Sequence, residues 1–241
     1  MKRACCLLVM LLFIVTAFSQ TTPIKIDENT VVKDSSGNIL SYAIWRALLL
    51  KGYGLQPENA KDKNTAFIIF KLSDKQREMV MQKAPKPKES NYFTTGKKIS
   101  LFNTSDINGK KVRLNEKGKI IVLNFWFINC QPCRMEIPEL NDLVESYKGN
   151  DSILFVSVAL DKKWDLQDFL KQTSFNYAIV DDGKYIMDRY GIKSFPTHLI
   201  VDAEGKVYFH TSGLSMGTVY WLKKSIDELL NSFRSQNAAA R

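Results

Sequence analysis

Residues 120–140 read IIVLNFWFINCQPCRMEIPEL. The stretch from Ile120 to Phe127 is a near-continuous apolar run, the pattern of a strand buried on both faces. From about Pro132 the apolar residues fall at Ile137, Leu140, Val144 and Tyr147, the i, i+3, i+4 spacing of a helix with one buried face. Cys130 and Cys133 stand at the junction in a Cys-x-x-Cys arrangement. A cysteine at a helix N-terminus meets unpaired backbone N–H groups and the positive end of the helix macrodipole, and both favour thiolate over thiol. The thiolate is the attacking species in disulfide exchange, and Cys133, on the next turn, is within reach to resolve a mixed disulfide. Pro132 suits a first-turn position, where its missing N–H is no loss. The Gln131-Pro132 pair is expected to influence the redox potential.

Working towards the C-terminus, Ile153 to Ala159 (ILFVSVA) reads as a second buried strand and Leu166 to Gln172 as a short helix. Tyr177 to Val180 reads as a further strand, followed by a helical turn near Tyr185 to Tyr190. Thr197 to Val201 and Val207 to His210 are two more strands around the turn Asp202–Gly205. Val219, Leu222, Ile226, Leu229 and Phe233 mark one face of a last helix from about Met216. On the N-terminal side, Ile99 to Phe102 and Val112 to Leu114 flank an Asn108-Gly109 turn, a hairpin signal. Strands alternating with helices and ending in a hairpin and a helix predict an α/β sheet covered on both sides.

Residues 20–90 form a separate stretch. Thr30 to Lys33 and Ile39–Leu40 are expected to pair across the Ser35–Asn38 turn, and Ser41 to cap a helix through Lys51 with Gly52 as its stop. Thr65 to Leu72 (TAFIIFKL) reads as a strand, and Ser73 with Gln76 as a capping box opening a helix to about Lys83. Ala84 to Glu89, with two prolines, reads as a linker.

Met1-Lys2-Arg3, the apolar run Ala4 to Val15 and the small residues near Ala17–Ser19 have the layout of a secretory signal peptide over residues 1–19. The apolar run is shorter than the roughly 20 residues a membrane helix needs. Membrane contact is therefore expected only through this segment, and only if it stays uncleaved. An exported, periplasmic protein, soluble after cleavage, is the expectation. Cys5 and Cys6 leave with the segment, so Cys130 and Cys133 remain as the only cysteines of the mature chain. If they pair, they pair with each other, in a loop too short to add much stability. The chain carries a formal +9, and the excess lies N-terminally: residues 20–98 hold 14 Lys+Arg against 8 Asp+Glu, residues 99–241 hold 18 against 17. The lysines are scattered singly, which fits a solvated basic face or attraction to an anionic membrane surface. It does not fit nucleic-acid binding, where clustered cations alternate with exposed aromatics.

A lone Cys-x-x-Cys is also half of a zinc site, but His198 and His210 sit at a spacing no common zinc motif uses. Two rivals to disulfide exchange stay open at this point: a copper site made of Cys130, Cys133 and His198, and a thiol peroxidase. No metal or organic cofactor is expected for disulfide exchange.

Asn124 to Leu140 (NFWFINCQPCRMEIPEL) resembles the active-site segment of the TlpA/ResA-like branch of the thioredoxin superfamily, exported and mostly reducing thiol–disulfide oxidoreductases. Ser194 to Asp202 (SFPTHLIVD) resembles that branch's second signature, a cis-proline loop entering a strand. The resemblance implies a thioredoxin-like fold over residues 91–235: a central mixed sheet with helices on both faces and an extra N-terminal hairpin, ahead of a disordered tail over 236–241. It implies Cys130 as nucleophile, Cys133 as resolving thiol and a redox disulfide between them, with substrate contacts at Trp126, Gln131, Pro132 and Pro196 and through the backbone around Phe195 and Thr197. Protein disulfides or dithiols are the implied substrates and a membrane thiol relay the implied electron donor. Glu136 matches an acidic residue that the branch keeps near the cysteines and is either the base for the Cys133 thiol or an exposed helix-face glutamate. Pro138 kinks the active-site helix or bends it around the core. Asn124 stands where thioredoxin proper has a buried aspartate, and Asn129 where many relatives have Trp. His198 stands where Thr is frequent, and reads as a satisfied strand histidine or a ligand.

Overall fold

The computed structural model describes residues 26–62 and 64–239, so the signal segment expected over 1–19 lies outside the described residues. Val32–Lys33 (β1) and Ile39–Leu40 (β2) pair antiparallel, as the turn signal predicts. Tyr42–Leu50 (α1) follows Ser41 and stops at Gly52, whose φ of 83° suits glycine. Tyr53–Pro57 (β3) and Phe67–Lys71 (β4) complete a sheet of order β2-β1-β4-β3, with Trp45 of α1 buried on Val32, Phe67 and Ile69. Asp74–Lys83 (α2) begins with the expected capping box: Gln76 N–H donates to Ser73 Oγ, and Ser73 N–H to Gln76 Oε1.

The second unit opens with a hairpin of Asn103–Ser105 (β5) and Lys111–Arg113 (β6). Its first arm lies beyond the expected Ile99–Phe102. Ile99, Leu101 and Phe102 lie partly buried against the core, and the Asp106 carboxylate instead holds the turn through Asn108 and Lys110 N–H groups, each at 2.9 Å.

Ile120–Trp126 (β7) is buried at every position. It is followed by Gln131–Ser146 (α3), Ile153–Ala159 (β8), Lys163–Leu170 (α4), Ala178–Val180 (β9), Lys184–Tyr190 (α5), Thr197–Val201 (β10), Val207–Ser212 (β11) and Thr218–Ala239 (α6). The tail expected to be disordered from 236 is thus helical as far as Ala239. The sheet order is β11-β10-β7-β8-β9, with β7, β8 and β9 parallel and β10 antiparallel to both neighbours. Residues of α3, α4 and α6 cover one face, and residues of α5, β6 and the 92–102 segment the other. The thioredoxin-like architecture is therefore the fold of this unit.

The linker is fastened rather than loose. Thr211 Oγ1 donates to Lys88 O at 2.8 Å, Ser90 N–H to His210 Nδ1 at 3.1 Å, and Gly96 N–H to Val207 O at 2.7 Å. Arg77 of α2 also pairs with Glu139 of α3, which ties the N-terminal unit to the helix that carries the cysteines. Because Nδ1 of His210 accepts a backbone N–H, the ring holds this latch only while that nitrogen is unprotonated. Burial pushes the His210 pKa below the ordinary 6.5; Lys86 adds to this and Glu89 opposes it. The unfolded chain therefore takes up the proton first, and stability present above about pH 6.5 is lost as pH falls below it. The urea midpoint is expected to drop between pH 7.5 and 5.5, and to drop less in a His210→Gln variant.

Candidate active site

The parallel strands β7, β8 and β9 end on one side of the sheet, and the cysteines sit there, just beyond the C-terminal end of the central strand β7. Cys130 is the N-cap of α3, and its Sγ accepts the Cys133 backbone N–H at 3.2 Å. This is the helix-end environment that favours a sulfur anion. The two sulfurs are joined, S–S 2.01 Å and Cα–Cα 5.3 Å. Both cysteines are buried, at 5% and 3% exposure, while Gln131 and Pro132 between them are exposed.

Neighbouring loops hold this junction. Ile128 N–H donates to Asp161 Oδ2 at 2.7 Å, and Leu160 N–H to Trp126 O at 3.1 Å. Gly183 N–H donates to Ala159 O, and a Cβ there would stand 2.3 Å from Val158 Cγ1, so the approach requires glycine. Asp161 carries no signal in the sequence, because an aspartate after a strand looks like any loop residue.

The Phe195–Pro196 peptide is cis. Pro196 is buried, and the half-buried Phe195 ring packs edge-on against Phe127 at 5.3 Å, bringing the proline loop to the cysteine loop. Three of the six expected substrate contacts are buried, Pro196 among them. Trp126 is 1% exposed and packs on Phe169 and Phe175. Thr197 is fully buried in β10 between β7 and β11, its hydroxyl at 2.7 Å from Ser194 O. Both side chains belong to the core, and the contact expected at Thr197 runs through its backbone.

Glu136 is not an exposed helix-face residue. It is 5% exposed, and its Oε2 lies 2.8 Å from His198 Nε2 while Oε1 has no partner. His198 is fully buried, with Nδ1 at 3.4 Å from Asn124 Nδ2. Among the described residues no three His, Cys, Asp or Glu side chains gather as a metal-binding group. His198 is thus a strand histidine engaged with Glu136 and Asn124, and it forms no such group with Cys130 and Cys133.

A dithiol at a helix N-terminus, beside a cis-proline loop on this sheet, defines the thioredoxin class of thiol–disulfide proteins. A family model described as the AhpC/TSA family matches residues 95–210. The chain is 32% identical over 130 residues to the thiol-disulfide oxidoreductase ResA of Bacillus thuringiensis subsp. konkukian (strain 97-27), covering 51% of this chain and 75% of that one. It is 33% identical over 120 residues to ResA of Bacillus cereus (strain ATCC 10987 / NRS 248), covering 49% and 69%. A crystal structure described as the thiol:disulfide interchange protein DsbE of Chlorobium tepidum superposes with a TM-score of 0.52 at 28% identity, over 57% of this chain and 99% of the other. The chain belongs to the TlpA/ResA-like thiol–disulfide oxidoreductases of the thioredoxin superfamily. Its CxxC pair is Cys130–Cys133.

Proposed function

We propose that the protein works outside the cytoplasm and reduces disulfides of protein clients, with Cys130 as nucleophile, Cys133 as resolving thiol and Glu136 as the base for Cys133. The observation that carries this is Cys130 Sγ at the N-cap, where it accepts the Cys133 N–H. In the reduced enzyme the Cys130 thiolate attacks one sulfur of the client disulfide, and the other leaves as a thiolate and takes a proton. Cys133 then gives its proton to Glu136, and its sulfur attacks Cys130 Sγ. The client's second sulfur leaves with the bonding pair, so two electrons have passed to the client and the enzyme holds the disulfide seen here. Gln131, Pro132 and Phe195, over the buried Pro196, form the contact surface around the pair in this reading. Recharging needs a dithiol donor, which we assign to a membrane thiol relay. The leader-like pattern of residues 1–19 supports export; no helix among the described residues is long and apolar enough to cross a membrane. The full chain, supplied with a dithiol donor, should reduce a disulfide-bonded protein faster than it consumes hydrogen peroxide. A chain that consumes peroxide and leaves the protein disulfide intact contradicts the proposal.

A further inference from the structure

Ser157, Asn124, His198 and Thr211 are register partners across β8, β7, β10 and β11, so their side chains share one face of the sheet. That face lies under α3, and all four residues are at most 2% exposed. A polar row in such a place is unfavourable unless its groups are hydrogen-bonded. Its centre is satisfied by one chain of contacts, Asn124 to His198 at 3.4 Å and His198 to the Glu136 carboxylate at 2.8 Å. With Asn124 Nδ2–H donating to Nδ1, the ring proton sits on Nε2 and is donated to Oε2. The other carboxylate oxygen, Oε1, is buried without a partner, and Cys133 lies one turn before Glu136 on the same face of α3.

We propose that His198 is a positioning residue for the Cys133 half-reaction: its Nε2–H fixes Oε2 of Glu136, so that Oε1 stays the free acceptor for the Cys133 proton. This rests on the reading of Glu136 as base. The proton passes from Cys133 Sγ to Oε1 as the sulfur attacks Cys130 Sγ, and the departing substrate sulfur carries away the bonding pair. The other titratable groups bearing on Glu136 are Glu139, one turn further along α3, and Tyr177 ahead of β9. The Tyr177 hydroxyl is held protonated by burial first and by the Glu136 charge second. His210 pairs with Leu199, not His198, and so faces the opposite side of the sheet.

The test is the pH dependence of resolution in a single turnover. The reduced full chain is mixed with a chromophoric aromatic disulfide, and the second release of thiol is followed, the phase that a Cys133→Ser variant lacks. His198→Leu is expected to move the midpoint of that phase up by about one pH unit and to slow it by up to about tenfold at pH values below the wild-type midpoint. His198→Gln, whose amide N–H reaches towards Oε2, should stay within about threefold of wild type, whereas His198→Asn, which keeps only the Asn124 side of the ring, should behave like leucine. If the leucine variant does not fold, the Gln and Asn pair decides. An unmoved midpoint overturns the proposal, including a slowing that is uniform with pH, which marks a purely structural role. Glu136→Gln separates the two readings. If it leaves the profile as in wild type, the base assignment itself is wrong. If it moves the profile and the His198 variants do not, only the role of His198 is lost.

Discussion

Replacing Cys130 by serine is expected to lower protein-disulfide reduction by at least about a thousandfold, to the rate of the donor alone, because it removes the nucleophile of a covalent route. Cys133→Ser has a different expected result. Its Cys130 keeps the N-cap position, so the first attack proceeds, and the reaction stalls because no internal thiol releases the client. Without the donor, one enzyme equivalent of client thiol should appear rapidly, with no further turnover. The asymmetry between the two variants is the informative quantity, since a metal-binding pair would lose function similarly with either cysteine gone. Stopped-flow detection of released thiol, with total turnover measured in parallel, separates the outcomes.

Trp126→Ala is expected to cost about 3–5 kcal/mol of stability, the range for deleting a large buried aromatic. The indole lies 1% exposed beneath the active-site loop, at 5.5 Å from Phe169 and 5.4 Å from Phe175 between ring centres. Trp126→Phe keeps most of that packing and should reduce disulfides at near the wild-type rate per folded molecule. Urea unfolding measures the first effect and a client titration the second. An alanine variant of unchanged stability, or a phenylalanine variant with a much weakened client KM, would return Trp126 to the substrate surface.

The case of Trp126 shows where the sequence stops being legible. A continuous apolar run identifies β7 and β8 as buried, and the Cys-x-x-Cys that follows places the helix, so the redox pair and its fold can be read directly. The same continuity carries no alternation, and so does not say which residues of Ile120–Trp126 reach a surface. Strand β3 is not legible because Tyr53–Pro57 holds Gly54 and Pro57 and no β-branched residue, although its partner β4 is plain. Asn124, Glu136 and His198 can each be singled out, but their union depends on the β7–β10 register and on how α3 lies over it. Glu136 and His198 are 62 residues apart, and no local pattern brings them to 2.8 Å. The linker is legible as a break in structure, whereas its latch on His210 spans 120 residues and is not.

In the proposed reaction Cys130, and not Cys133, forms the covalent bond to the client. Trapping tests it most directly: the reduced Cys133→Ser variant is mixed with a disulfide-bonded protein, quenched in acid, digested without reduction and read by mass spectrometry. A client peptide linked through Cys130 is expected, and none linked through Cys133 in the matching Cys130→Ser reaction. A client adduct that forms as readily on Cys133, or that is absent from both variants, would contradict it.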